Sequence, residues 1–240
     1  MNVVVVNNFD RMSEEVAKIM IKQITQKPKS VLGLATGSSP LRVYKLLVEY
    51  HNRGADFSGL TTFNLDEYVG LSKEHPQSYR QYMNENFFSH VNIKPENTFV
   101  PSGVTEDPEE ECRLYEQSIK QAGGIDMQIL GIGSNAHIGF NEPGTPFDSI
   151  TQVVDLSEST IKDNARFFDT IEEVPTKAIS MGIKTIMQAK EIVLMANGGS
   201  KAKAIYGAVM GRITPEVPAS VLQLHPSVTI VVDQAAASKL

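Results

Sequence analysis

The sequence predicts a single α/β domain over residues 1–240, with a three-layer, mostly parallel, doubly wound sheet. Short apolar runs, which suit buried parallel strands, alternate with longer stretches in which apolar residues recur at helical spacing. Turns rich in glycine, serine and asparagine separate these segments, and none has the composition of an interdomain linker. This alternation favours a Rossmann-like architecture with helices on both faces of the sheet.

Six apolar runs are predicted to be strands because each is short and bounded by polar or turn-forming residues. They are residues 3–6, 31–35, 61–65, 125–130, 192–196 and 228–232. Residues 152–155 and 178–182 show a weaker strand pattern. The first run is β-branched throughout, so we expect a fully buried strand there.

Helices are predicted where apolar residues recur three or four positions apart. They are residues 14–26, 41–48, 76–90, 109–121, 184–189 and 202–210. The first is expected to start at Ser13 and to end before Pro28. In the third helix, an apolar face is expected to lie in the core and consists of Tyr79, Tyr82, Met83 and Phe87. Residues 145–174 lack a sustained period, and we expect an active-site lid within residues 156–180.

Composition and charge restrict the classes of function. The formal net charge of −6 disfavours a nucleic-acid partner, because binding to phosphate backbones requires clustered Lys and Arg. The single cysteine, Cys112, cannot form an internal disulfide, which suggests a cytoplasmic location. We expect neither a secretory signal nor a membrane span, because the apolar runs are too short. Oligomeric state is left open.

The stretch from Gly131 to Gly144 combines glycines with His137 and Glu142 directly after a predicted strand. Glycine lets the backbone approach a ligand closely, and histidine and carboxylate side chains transfer protons near neutral pH. We therefore interpret this stretch as an active-site loop. The alternative is a histidine that is hydrogen-bonded to a carbonyl in the core.

Asp66 and Glu67 follow the predicted strand at residues 61–65. In open α/β sheets, ligands bind outside the carboxyl ends of the strands, so this acidic pair is a candidate for chemistry. The alternative is a solvated acidic pair on a loop. Adjacent side chains of an extended backbone point in opposite directions, which makes a direct role for both carboxylates less favoured.

The turn Thr36-Gly37-Ser38-Ser39-Pro40 lies between a predicted strand and a predicted helix. Backbone N–H groups and the dipole at a helix N-terminus favour an anion such as phosphate. The alternative is an ordinary turn capped by Ser39, with Pro40 in the first helical position. The chain has neither a Walker A lysine nor a G-x-G-x-x-G motif here, so a nucleotide is not indicated.

Five motifs together resemble the glucosamine-6-phosphate deaminase family, in its short form. They are residues 32–40, 64–71, 131–143, 164–167 and 199–202, in the family's order and spacing. The resemblance implies conversion of glucosamine 6-phosphate to fructose 6-phosphate and ammonia. It implies no metal or organic cofactor, because the aldehyde of the sugar acidifies the C2 proton. The scattered histidines and the absence of a cysteine cluster also give no metal-ligand spacing.

The resemblance also implies roles for individual residues. Asp66 would take the C2 proton and deliver it to C1 of the enolamine. His137 would open the sugar ring, and Glu142 and Asn135 would orient it and set its protonation state, as the third member of a catalytic triad does.

For the phosphate group, the resemblance implies Ser38 and Ser39 of the turn together with Arg166 and Lys201. A phosphate dianion suits a bidentate fork and a point charge. Lys201 at a helix start opposes the helix dipole, and a bound anion would remove that conflict. The alternative for Arg166 is an exposed arginine in the lid.

Two departures from better-known members change these expectations. Those members have Asp-Gly where this chain has Asn135-Ala136, so the loop carries one less negative charge and we expect a different pH dependence. Ala136 also disfavours a positive φ at this point. Longer members have a C-terminal extension that takes part in activation by N-acetylglucosamine 6-phosphate. This chain ends soon after Val232-Asp233, so we do not expect that regulation.

Two other functions are the alternatives to a deaminase. A 6-phosphogluconolactonase should have Asp-Glu-Arg in place of Asp66-Glu67-Tyr68 and should lack the sequence Phe140-Asn141-Glu142-Pro143. A sugar-phosphate-sensing regulatory domain would normally be joined to a DNA-binding helix-turn-helix. The sequence favours the deaminase over both.

Overall fold

A computed structural model describes residues 1–157, 160–162, 165, 168 and 170–240. The strands are β1 (Asn2–Val6), β2 (Val31–Leu34), β3 (Thr61–Asn64), β4 (Asp66–Tyr68), β5 (Thr98–Phe99), β6 (Met127–Leu130), β7 (Gln152–Asp155), β8 (Lys177–Ser180), β9 (Glu191–Ala196) and β10 (Val228–Asp233). The helices are α1 (Phe9–Gln26), α2 (Leu41–Asn52), α3 (Tyr79–Asn86), α4 (Pro108–Gln121), α5 (Ile183–Met187) and α6 (Ala202–Met210). Short 3₁₀ helices include Gly199–Lys201 and Pro218–Leu224.

The main sheet has seven strands in the order β1-β10-β9-β6-β2-β3-β5. Every pairing within it is parallel, as the alternation of strands and helices predicts. A smaller sheet has three strands in the order β4-β8-β7, and its pairings are antiparallel. The smaller sheet holds β4 at the carboxyl end of β3, where ligands bind in this class of sheet.

Successive side chains of a strand point to opposite faces of the sheet. Helices cover both faces of the main sheet, so both sets of side chains are buried. On one face, Leu32, Leu34 and Ile129 pack in a cluster with residues of α1 and α2. On the other face, Leu130 and Leu194 pack with residues of α4 and α6. The three-layer α/β architecture predicted from the sequence is therefore confirmed.

Two expectations about the N-terminal elements were wrong. β1 is an edge strand rather than a fully buried one, and its Val5 is 51% exposed, because among the described residues β1 pairs only with β10. α1 begins at Phe9 instead of near Ser13. The side chain of Asn8 accepts a hydrogen bond from the Arg11 N–H and caps this earlier start.

Two further differences lie near the carboxyl end of β3. The third helix is shorter than predicted and covers Tyr79–Asn86, because Ser78 caps its start and accepts a hydrogen bond from the Gln81 N–H. Strands β4 and β5 were not predicted.

None of the helices in the described parts of the chain is long and apolar enough to cross a membrane.

Candidate active site

A cavity of about 510 Å³ opens where β2, β3 and β6 end. Its walls include Asp66 after β3, His137 in the loop after β6, and Lys201 before α6. The turn after β2 contributes Thr36, Gly37, Ser38 and Ser39. Residues from separate motifs of the sequence therefore line one cavity, at the edge of the sheet where ligands are expected.

Among the acidic residues that line this cavity, Asp66 has the most strongly shifted pKa. It is 6% exposed, and β4 pairs it with Ser180 of β8. Burial raises the pKa of Asp66 to about 8, and the negative charge of the neighbouring Glu67 contributes in the same direction. A carboxylate with a pKa near the working pH can both accept and return a proton.

Glu67 points away from the cavity, as the alternation along an extended backbone predicts. Its carboxylate accepts hydrogen bonds from the N–H groups of Tyr68 at 2.9 Å, Tyr79 at 2.9 Å and Arg80 at 3.0 Å. Burial raises the pKa of Glu67, and these donations act in the opposite direction. Glu67 thus joins β4 to the first turn of α3.

The loop from Gly131 to Gly144 holds the imidazole of His137 directly against Gly133. A methyl group at Gly133 would lie 2.3 to 2.5 Å from three atoms of that ring, so a side chain would displace it. Ala136 has a φ of 69°, which shows that the expectation against a positive φ at this position was wrong. The hydrogen bonds from Ala136 N to Gly133 O and from Ala219 N to Ala136 O, each 3.0 Å, hold this conformation.

Glu142 and Asn135 lie beside His137 without lining the cavity. Oε1 of Glu142 is 3.6 Å from Nδ1 of His137, just beyond hydrogen-bond distance. The Asn135 amide donates to Oε2 of Glu142 at 2.5 Å, and the His137 N–H donates to Oδ1 of Asn135 at 3.2 Å. The structure therefore brings together the three residues that the sequence placed around ring opening.

Glu142 is further held by two hydroxyl groups that the sequence analysis did not single out. Ser157 donates to its Oε1 at 3.1 Å, and Thr160 donates to the same oxygen at 2.6 Å. Burial raises the pKa of Glu142, but His137, Thr160 and Asn135 outweigh it and lower the pKa to about 2. Glu142 therefore carries a negative charge beside His137 at any working pH.

The turn after β2 has the features of an anion site. Gly37 has a φ of 97°, and its carbonyl accepts a hydrogen bond from the Tyr82 hydroxyl at 2.6 Å. The residue that precedes α2 is Pro40, and no side chain in the described part of the chain caps the helix, so the alternative with Ser39 as the cap was wrong. The hydroxyl of Ser39 instead lies at the cavity, 3.5 Å from Oδ1 of Asn197.

Arg166, the other cation that the resemblance assigns to the phosphate, lies outside the described residues, as do Asn164 and Phe167 of the same motif. Lys201 ends the 3₁₀ helix Gly199–Lys201 and immediately precedes α6, as the sequence predicts. It lines the same cavity as the turn after β2.

Sequence reasoning missed several residues that line the cavity. Tyr79 and Tyr82 were expected in the core, yet both reach the cavity, whereas Met83 of the same helix is fully buried. The hydroxyl of Tyr79 donates to that of Tyr68 at 3.2 Å. A polar tip on an aromatic ring is the signal that favours a cavity wall over the core. Thr160 gave no comparable signal.

The described residues contain no group of three or more His, Cys, Asp or Glu side chains that could hold a metal ion.

Comparison with known proteins gives a consistent result. The family model of glucosamine-6-phosphate isomerases and 6-phosphogluconolactonases matches residues 7–231. A glucosamine-6-phosphate deaminase of Thermoanaerobacter pseudethanolicus is 57% identical over 239 residues, which cover 99% of this chain and 94% of that protein. A glucosamine-6-phosphate deaminase of Clostridioides difficile is 56% identical and covers 100% of this chain and 97% of that protein.

Solved structures extend the comparison. A monomeric glucosamine-6-phosphate deaminase is 47% identical, with a TM-score of 0.98 and complete coverage of both chains. A 6-phosphogluconolactonase of Trypanosoma brucei is 18% identical with a TM-score of 0.83, covering 100% of this chain and 98% of that one, which shows a shared fold only. The chain belongs to the family of glucosamine-6-phosphate isomerases and 6-phosphogluconolactonases, and within it to the glucosamine-6-phosphate deaminases.

Proposed function

We propose that this deaminase converts glucosamine 6-phosphate and water to fructose 6-phosphate and ammonia, with Asp66 and His137 as its proton-transferring groups. The observation that carries the proposal is that these two residues line one cavity with Lys201 and the Gly37 turn. A phosphate site and two groups able to move protons are what an aldose-ketose isomerisation of a sugar phosphate requires.

The phosphate group binds at the turn formed by Thr36, Gly37, Ser38 and Ser39. Backbone N–H groups and hydroxyls there act as donors, and Lys201 supplies a positive charge. Arg166 is proposed as the second cation on the resemblance alone. Anchoring the phosphate fixes the position of C1 and C2 relative to Asp66 and His137, and such positioning lowers the entropic part of the barrier.

His137 opens the sugar ring by taking the proton from the O1 hydroxyl and returning a proton to the ring oxygen. The negative charge of Glu142 at 3.6 Å stabilises the imidazolium that forms between these two transfers. Asn135 supports the arrangement because it contacts both the Glu142 carboxylate and the His137 backbone.

Asp66 then removes the C2 proton of the open-chain aldehyde, and the C2–H electrons form the C1=C2 double bond of an enolamine. The π electrons of the aldehyde move to O1, which gains the proton that the amine loses when the imine forms. The same carboxyl group returns the proton to C1, which gives a 2-imine. Water adds to the imine carbon and ammonia leaves, so the net reaction is a hydrolysis. General acid–base help of this kind is worth about 10²-fold to 10⁴-fold in rate.

The segment before β8 is proposed as the lid, within the range 156–180. Leu156 and Phe168 pack with Tyr68 and Phe140, which lie beside the cavity. Thr160 lines the cavity while it donates to Glu142. Closure of such a segment would shield the enolamine from protonation by solvent, so that Asp66 delivers the proton to C1. A cytoplasmic location, expected from the single cysteine, is part of the same proposal.

The test is a coupled assay in which ammonia and fructose 6-phosphate are both measured after addition of glucosamine 6-phosphate. We expect the two products in equal amounts, with no added metal or cofactor. 6-Phosphogluconolactone is the comparison substrate, because distant structural relatives are named 6-phosphogluconolactonases. Lactone hydrolysis without ammonia release would overturn the proposal.

A further inference from the structure

Asn141 is a fully buried side chain in the loop that carries His137. Its amide nitrogen donates two hydrogen bonds, to the carbonyl of Ile138 at 2.8 Å and to the carbonyl of Met181 at 2.9 Å. The first carbonyl belongs to the loop itself, and the second lies 40 residues further along the chain. The side chain therefore bridges two separate segments.

One of these segments contains His137, and the other follows β8, the strand that pairs with β4 at Asp66. Ile138 follows His137 directly. Met181 follows Ser180, which is paired with Asp66, and the Met181 N–H donates to the Leu65 carbonyl at 2.7 Å. One amide group thus connects the backbone next to His137 with the backbone that holds Asp66.

A second contact of the same kind lies alongside. The Phe140 N–H donates to the hydroxyl of Ser180 at 3.0 Å, so the loop and β8 are joined twice. Gly139 lies between the two sides. A methyl group there would be 3.4 Å from Nδ2 of Asn141 and 3.7 Å from Oδ2 of Asp66. The bridging amide and the proposed base therefore lie against the same piece of backbone.

The amide of Asn141 is not fully satisfied. Both acceptors are carbonyl oxygens, so the nitrogen must face them, and Oδ1 is left buried with no hydrogen-bond partner among the described residues. The contact of Asn141 with the two segments therefore depends on the two N–H donations of its amide.

We propose that Asn141 is a positioning residue that fixes the separation of His137 and Asp66 through its side-chain amide. The inference rests on the proposed roles of those two residues. Proton transfer to a bound sugar depends on sub-ångström placement of both groups, and a displacement of about 1 Å can reduce the rate about 10²-fold. Phosphate binding uses other elements of the cavity and should depend little on this bridge.

The test variant is Asn141→Asp, which keeps the size of the side chain but turns an oxygen toward two carbonyls. We expect kcat to fall about 100-fold, with KM for glucosamine 6-phosphate changed by less than about threefold. The control is Asn92→Asp, the same substitution at an exposed side chain. Asn92 also bridges two segments, through the Phe57 N–H and Asp56, but lies away from the cavity. Its kcat should stay within about twofold of wild type.

Ser180→Ala provides an independent variant if Asn141→Asp does not fold, because it removes the second contact of the bridge. It should lower kcat with little change in KM. Thermal unfolding of each variant allows kcat to be expressed per folded molecule. Wild-type kcat in Asn141→Asp or, if that variant does not fold, in Ser180→Ala would overturn the inference. An equal rise in KM and fall in kcat would also overturn it. A wild-type protein that releases no ammonia would instead overturn the proposed function and, with it, this inference.

Discussion

At the scale of single residues, Asp66 is unusual because it is buried and adjoins a second carboxylate. The proposed base must be ionised to accept the C2 proton, and its pKa of about 8 lies above neutrality. We therefore predict that kcat/KM rises with pH and levels off above about pH 8. The measurement is the pH dependence of ammonia release at low substrate concentration. A flat profile between pH 6 and about 8 would contradict the assignment of Asp66 as the base.

Gly133 is the second residue with a specific consequence, because the ring of His137 occupies the space of a missing side chain. Gly133→Ala should displace the imidazole and lower kcat by about 10²-fold. The fold should tolerate the change, since the ring can rotate toward the cavity. The matched control is Gly199→Ala, because a methyl group there would meet no atom of the described residues within 4 Å and Gly199 does not line the cavity. Equal activity of the two variants would argue against this placement of His137.

At the scale of elements, Glu67 connects β4 with α3 through three backbone N–H groups. In Glu67→Gln, one oxygen is replaced by a nitrogen that cannot accept a hydrogen bond. We expect a loss of about 1–3 kcal/mol in the free energy of unfolding, measured by urea denaturation.

The same variant should also change the pH profile. The charge of Glu67 contributes to the raised pKa of Asp66, so its removal should move the rising limb of kcat/KM to lower pH. The control is Glu85→Gln, because Glu85 belongs to α3 and lines the cavity without joining β4. A shift of the limb to higher pH would contradict the electrostatic argument.

Elements with a long periodic pattern could be predicted from the sequence. The predicted helix at residues 202–210 matches α6 at both ends, and the helix at 109–121 differs from α4 by one residue. β4 and β5 have only three and two residues, too few to show a period. Their existence depends on pairing with β8 and β3, which a local pattern does not contain.

In the candidate site, too, a local pattern indicates some residues, while contacts between distant residues leave no local pattern. Asp66 and His137 could be predicted because Asp66 directly follows an apolar strand and His137 lies in the loop after another, and the carboxyl ends of parallel strands meet at one edge of the sheet. The contacts of Asn141 with Met181 and of Thr160 with Glu142 join residues 40 and 18 positions apart, so no local spacing indicates them.

At the scale of the whole molecule, Asp126 ties strand ends together on the side of the sheet opposite the cavity. Its carboxylate contacts Lys27 at 2.6 Å and Lys190 at 2.8 Å, and it accepts a hydrogen bond from the Val31 N–H at 2.8 Å. Burial raises the pKa of Asp126, but the two lysines and the N–H group outweigh it, so the pKa is lowered. The contacts therefore stabilise the folded state when Asp126 is ionised.

Asp126→Asn should lose about 2 kcal/mol of stability at pH 7, a value that allows for the partial exposure of both lysines. Because the folded pKa is lowered, the stabilisation is present above the unfolded pKa of about 3.9 and is lost as pH falls through the folded value. The difference between wild type and variant in urea denaturation should shrink below about pH 4. Activity per folded molecule should be unchanged. A difference that grows in acid would contradict the assignment.

Proton transfer by Asp66 at C2 of the sugar is the step on which the proposed reaction depends. The direct measurement is exchange of the C2 proton of glucosamine 6-phosphate with deuterated solvent, followed by NMR for wild type and Asp66→Asn. We predict that wild type exchanges this proton with solvent deuterium during turnover. Asp66→Asn should still bind the sugar phosphate but leave the C2 proton in place. Continued exchange at C2 in Asp66→Asn would contradict the account.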